Sequence, residues 1–141
     1  MKKLLLVALV AACNGGSGPD QPDPLDLTGT WTLLANAASP ELQASCTLTG
    51  TLFLAPSGQE YSGTFTNSLG SCQDEFEQGS ANVDATIGGF TVVGDQVSVT
   101  YGPCTLVGTA SDENLVEGQV SCLYARRGDT HPVEGTWRIS R

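Results

Sequence analysis

The chain has 141 residues with a formal net charge of −9, 17 Gly, 7 Pro and 5 Cys, a size that bounds it to one domain. With residues 1–12 removed, no lysine remains and four arginines face 15 acidic residues, a net charge of −11. That charge repels phosphate backbones and offers no basic patch to an anionic membrane surface, so no nucleic-acid partner is expected and any membrane attachment must come from another device.

The N-terminus supplies one. Lys2 and Lys3 precede an apolar run from Leu4 to Val10, the layout of a secretory signal and too short to cross a bilayer. Residues 1–12 therefore read as a signal peptide. The string Val10-Ala11-Ala12-Cys13 resembles the lipobox of bacterial lipoproteins. The resemblance implies acylation of the Cys13 thiol, cleavage before Cys13 and acylation of the new amine, a palmitate-type anchor in which each buried methylene contributes about 0.8 kcal/mol. In that family the absence of Asp after the cysteine, here Asn14, directs the protein to the outer membrane of the cell envelope. Residues 14–24, rich in Gly, Pro and Ser and without an apolar side chain, read as a flexible linker.

From Leu25 onward no helical period persists, apart from one short turn expected in the 36–45 stretch. The rest alternates between β-branched or aromatic residues and polar ones, broken by Gly-rich turns, so residues 25–141 are expected to be an all-β domain. Strands are expected at 27–34, 46–54, 59–66, 80–87, 89–93, 96–102, 104–110 and 115–124, with a ninth at 134–140. In the first hairpin a four-residue turn at Ala55-Pro56-Ser57-Gly58 sets Leu54 against Gln59, Gly50 against Gly63 and Leu48 against Phe65. In the second, Gly94-Asp95 sets Val92 against Val97 and Phe90 against Val99. In the third, a loop near Ser111 to Leu115 sets Ala110 against Val116, Gly108 against Gly118, Leu106 against Val120 and Cys104 against Cys122. Hairpin follows hairpin, so the fold is an antiparallel meander of about eight strands, closed into a small barrel by pairing 134–140 onto 27–34.

Cys46, Cys72, Cys104 and Cys122 are an even number in an exported chain, so two disulfides are expected. The third register favours Cys104–Cys122 and leaves Cys46–Cys72, each contributing on the order of 3 kcal/mol. Without a Cys-x-x-Cys pair, a metal site is not expected. The paired inward glycines leave stripes without side chains, to be covered by the rings of Trp31, Trp137, Phe65 or Tyr101, and the barrel interior is expected to be filled.

Gly29-Thr30-Trp31 on the first strand of such a barrel resembles the Gly-x-Trp signature of the lipocalin and calycin-like barrels. The resemblance implies that Trp31 plugs one end, that Arg138 or Arg141 from the last strand stacks on it, and that the interior takes a small apolar ligand. The family's Thr-Asp-Tyr signature is absent. Ser57-Gly58-Gln59-Glu60-Tyr61 also resembles the Ser-Gly-x-x-Tyr motif of membrane-bound lysozyme inhibitors, which are small lipoprotein barrels. That resemblance implies a protein-interaction module of the envelope instead. The inhibitors' second motif is matched only in its first half, Tyr101-Gly102-Pro103-Cys104-Thr105.

No nucleophile and base stand in a catalytic pattern. His131, the one histidine, lies in a Gly128-Asp129-Thr130 loop context, and no Gly-x-Ser-x-Gly elbow is present. Asp74, Glu75, Glu77, Asp112 and Glu113 read as solvated loop charge and not as a calcium site; Arg126-Arg127 reads as surface charge. The expectation is a non-enzymatic envelope lipoprotein without cofactor.

Overall fold

The computed structural model describes residues 25–141. The signal peptide, the acylated Cys13 and the 14–24 linker lie outside the described residues.

Nine strands follow in chain order: β1 (Gly29–Ser39), β2 (Ala44–Ser57), β3 (Glu60–Gln73), β4 (Gln78–Ala81), β5 (Ala85–Val93), β6 (Gln96–Tyr101), β7 (Cys104–Asp112), β8 (Leu115–Arg126) and β9 (Asp129–Ser140). The described residues contain no helix. The hydrogen-bonded order runs β2-β1-β9-β8-β7-β6-β5-β3, and β2 pairs with β3 to close an eight-stranded antiparallel barrel. β4 hangs outside the ring on β3.

Closure comes from the last strand, as expected, although β9 meets β1 over Thr32↔Ser140 to Ala38↔Glu134, higher up β1 than the expected 27–34. The third hairpin has the expected register throughout, from Cys104↔Cys122 to Ala110↔Val116. The second keeps the expected register at Val92↔Val97, its ladder running from Val93↔Gln96 to Thr91↔Ser98, and on the other edge of the strand Phe90 pairs with Tyr61 of β3. The short turn expected within 36–45 forms at residues 40–43, closed by the Gln43 N–H donating to the Pro40 carbonyl.

Two expectations are corrected. The first hairpin turns on Gly58-Gln59 and not on 55–58, so Leu54 meets Gly63 and Leu52 meets Phe65. Pro56 stays in the strand because the β1–β2 ladder ends at Leu54, which leaves Pro56 a single neighbour and no ladder donor to lose on the other side. The partner moves by an even number of residues, so the same side chains face inward. The second correction concerns 80–87 and 89–93. Residues 85–93 form one strand, and Gly88-Gly89 is a bulge within it, Gly89 having a φ of 72°. Residues 78–81 become the separate β4.

The bulges matter because each moves the inward set to the other parity. On β3, Gly63 and Phe65 face in; after the irregularity opposite Gly50, where Asn67 has φ 49°, it is Gly70 and Cys72. On β5, Ile87 faces in before Gly88-Gly89 and Phe90 after it. Gly50 thereby lies under the Phe65 ring: a Cβ there would stand 2.5 Å from Phe65 Cε2. Gly108 lies under Trp137 in the same way, with 2.8 Å to Cζ2. The ring-over-glycine expectation thus holds for Phe65 and Trp137.

Both disulfides form, Cys46–Cys72 and Cys104–Cys122, each between residues directly opposite on neighbouring strands.

Candidate functional site

The alternating strands give the barrel two different ends. At one end lie the start of β1, the β2–β3, β5–β6 and β7–β8 turns, and the end of β9. The other end carries the β1–β2, β6–β7 and β8–β9 turns and the excursion through β4.

The first end is plugged. Leu27, Trp31, Leu52, Leu54, Val116 and Ile139 are buried there. The Trp31 indole N–H donates to the Leu27 carbonyl at 2.8 Å, so the buried ring leaves no unpaired donor. Arg141 lies over the ring, its guanidinium carbon 4.3 Å from the centroid, and donates to the Thr28 and Asp26 carbonyls at 2.7 and 3.3 Å. Of the two arginines that the signature allows, Arg141 is therefore the one on Trp31. Arg138 is exposed on the outer face beside Glu117, because it lies one residue out of phase with the buried Trp137 and Ile139. Gly29, with φ 124°, has Arg141 3.5 Å from where a Cβ would be. Thr28, through its side chain first and then its amide, lowers the pKa of the Asp26 carboxyl, and the Tyr61 hydroxyl that donates to it adds to the effect.

The second end is a mouth. Beneath it the interior is open: a cavity of about 340 Å³ extends inward from the rim, near the lower limit of small-molecule pockets, roughly 300–1,000 Å³. The expected filled interior is thus corrected. Trp31 and Trp137 occupy the plugged half, while at the mouth the inward positions are held by Ala35, Ala37, Gly70 and the four half-cystines, which are too short to reach the axis. Phe65, Ile87, Phe90, Val99, Leu106 and Val120 complete an apolar lining in which no residue carries a charge. Tyr101 also lines the cavity and donates its hydroxyl to the Val83 carbonyl at 3.3 Å. Such a space favours an uncharged apolar guest, because a buried charge would find no partner.

The descent from β4 to β5 is pinned at one side of this mouth. The Asp84 carboxylate accepts from both the amide and the hydroxyl of buried Ser68, at 2.9 and 2.6 Å, and Ser68 Oγ accepts from the Val83 amide. Those donors hold the Asp84 carboxyl below its ordinary value. A group depressed in the folded state stabilises it above the usual carboxylate range and ceases to do so as pH falls through its lowered value. Thermal unfolding followed between pH 7 and pH 2 should therefore show acid destabilisation below about pH 4, and Asp84→Asn should flatten part of it. An unchanged acid limb in Asp84→Asn would contradict this assignment.

Several sequence candidates lie apart from the cavity. His131 sits on β9 opposite Tyr124, in the rim hairpin. Ser57 and Gly58 lie at the turn of the plugged end, and Tyr61 turns its hydroxyl towards the Leu25 carbonyl, so this triplet does not present a protruding tyrosine. Among the described residues no three His, Cys, Asp or Glu side chains gather as a metal site.

One group reads differently in three dimensions. Asp74 is an ion-pair partner of Arg126, its side chain 1% exposed and that of Arg126 14%, and its other oxygen accepts from the Phe76 and Glu77 amides at 2.8 and 2.9 Å. Phe76, 64% exposed, lies under both guanidinium groups, with centroid distances of 5.0 Å to Arg126 and 5.4 Å to Arg127. Asp74 and Arg126 are thus not solvated loop charge. The acid and base stand far apart in the chain, and only the strand order reveals their meeting.

No protein-family model matches the chain, and no curated protein matches it. A solved structure from Nitrosomonas europaea that carries the provisional name AttH is similar to it, with a TM-score of 0.38 and 13% identity over 88% of this chain and 55% of that one. The chain therefore spans about half the length of that protein.

Proposed function

We propose that the chain is a non-enzymatic lipoprotein, held at the cell envelope through acylated Cys13, whose barrel carries a small, uncharged apolar ligand in the cavity under its mouth. The observation that supports this most is the cavity itself, about 340 Å³ of space walled by apolar side chains and cystines. An interior of that kind stays dry when empty and gains by accepting an apolar guest. The lipobox pattern and the linker composition support the anchoring half of the reading. The plugged end, with Trp31 under Arg141, supports one-sided loading, because the guest has one way in.

The test is uptake of a neutral apolar dye such as N-phenyl-1-naphthylamine by residues 14–141, exported into an oxidising compartment so that both disulfides form. Saturable binding at one site per chain, lost when the cavity is filled by a larger side chain, is the expected result. Absence of binding, or binding indifferent to cavity filling, would overturn the reading.

A further inference from the structure

We propose that the β3–β4 hairpin is a strap across the mouth of the cavity, latched to the opposite wall by the Asp74–Arg126 ion pair, and that this latch sets the rate at which an apolar ligand enters and leaves. The inference rests on the carrier reading and adds to it the element that controls access.

The barrel order makes the argument. Around the closed ring the strands run β1, β9, β8, β7, β6, β5, β3, β2. β8 and β3 are therefore four strands apart in either direction, on opposite walls. Asp74 immediately follows β3, and Arg126 is the last residue of β8. A contact between such positions passes over the mouth, and the residues just below it, Ser71 and Cys72 on one wall and Leu123 and Tyr124 on the other, line the cavity.

The strap is weakly held elsewhere. β4 pairs only with β3, through Gly70↔Ala81 to Gln73↔Gln78, and all four of its residues are exposed. Its root is firm, because Asp84 holds Ser68 and Tyr101 holds Val83. Its tip keeps its shape independently of the latch, since Asp74 caps the Phe76 and Glu77 amides within the turn. A firm root, a self-contained tip and one charged tie describe a segment that moves as a unit when the tie breaks. Among the described residues Asp74–Arg126 is the sole ion pair, and Phe76 adds an aromatic face to the same tie. Replacing Arg126 leaves the Asp74 carboxylate buried without compensation, which drives it and the strap that carries it towards water, and replacing Asp74 turns Arg126 outward from β8 and leaves the strap untied. Little of the pair is exposed to salt, so screening should affect it weakly.

The experiment follows release of the neutral dye by stopped flow from residues 14–141 and from Arg126→Gln and Asp74→Asn. Both variants keep the cavity lining, and Asp74→Asn keeps the capping oxygen. Each should speed release by about tenfold, equivalent to about 1.4 kcal/mol of barrier. The double variant should gain little over either single one, as expected of two halves of one contact. Amide hydrogen exchange supplies a readout that needs no ligand: residues 74–81 should exchange faster in Arg126→Gln while residues 104–110 stay as they were. Dye binding with unchanged release would overturn the latch and leave the carrier reading standing. Absence of dye binding in every form would remove the carrier reading and the latch with it. Unaltered exchange at 74–81 would show that the pair does not hold the strap.

Discussion

Trp31→Ala should lower the unfolding free energy by about 3–5 kcal/mol, measured by far-UV circular dichroism in urea with both disulfides intact. The ring is buried at the plugged end, packs with Leu27, Leu52 and Leu54, and satisfies its indole donor on the Leu27 carbonyl. Its removal opens a void that rigid strand backbones on every side cannot collapse into. Arg141→Ala should have a smaller effect of about 1 kcal/mol, because the guanidinium sits at the surface and contributes a stacking contact and two hydrogen bonds to carbonyls. Arg138→Ala should stay within about 0.5 kcal/mol of the parent, since that side chain stands on the outer face. A larger effect from Arg138 than from Arg141 would mean that the plug is closed in the other way that the signature permits.

Filling the cavity should separate binding from stability. Val99 and Val120 face each other's neighbours across the β6–β7–β8 wall, where Val99 pairs with Leu106 and Leu106 with Val120, and all three line the cavity. Val99→Phe or Val120→Phe would direct a ring into the open space. Each should weaken binding of a neutral apolar dye by at least about tenfold, or 1.4 kcal/mol. Stability should be held or raised, because a ring that fills a void gains dispersion contacts and removes apolar surface from any water present. Weaker binding accompanied by a comparable loss of stability would instead indicate that the wall is already tightly packed and that the space is smaller than the structure shows. Equal binding in parent and variants would place the dye elsewhere, for example on exposed Phe76 at the rim.

How far the fold was legible depended on local signals. The β7–β8 hairpin carried two facing cysteines, two facing glycines and a run of alternating apolar residues, and each pair fell where the alternation put it. The all-β character and the Cys104–Cys122 pairing followed from the same period-of-two reasoning, Cys46–Cys72 was the pair that remained, and closure by β9 followed from the meander's need to bury its one apolar face. The first hairpin misled because Pro56 and Gly58 suit a four-residue turn, whereas the chain uses Pro56 within an edge position of β2 and turns on Gly58-Gln59. Bulges defeat alternation by their nature: the alternation breaks at Gly88, between the expected strands 80–87 and 89–93, whereas Gly88-Gly89 is a kink within one strand. The cavity was hidden because its existence depends on how far each inward side chain reaches, and Ala35, Ala37 and the cystines stop short of the axis. Asp74 and Arg126 were hidden because each, taken alone, looks like loop charge; only the strand order brings them together over the mouth.

The central claim is that the barrel holds an apolar guest, and native mass spectrometry tests it most directly. Residues 14–141, folded with both disulfides and incubated with a lipid extract of the cell envelope, should retain an adduct of a few hundred daltons under gentle activation. The same adduct should disappear in Val99→Phe. A spectrum with only the bare oxidised chain, identical in parent and variant, would contradict the account and make the mouth a feature of the fold without cargo.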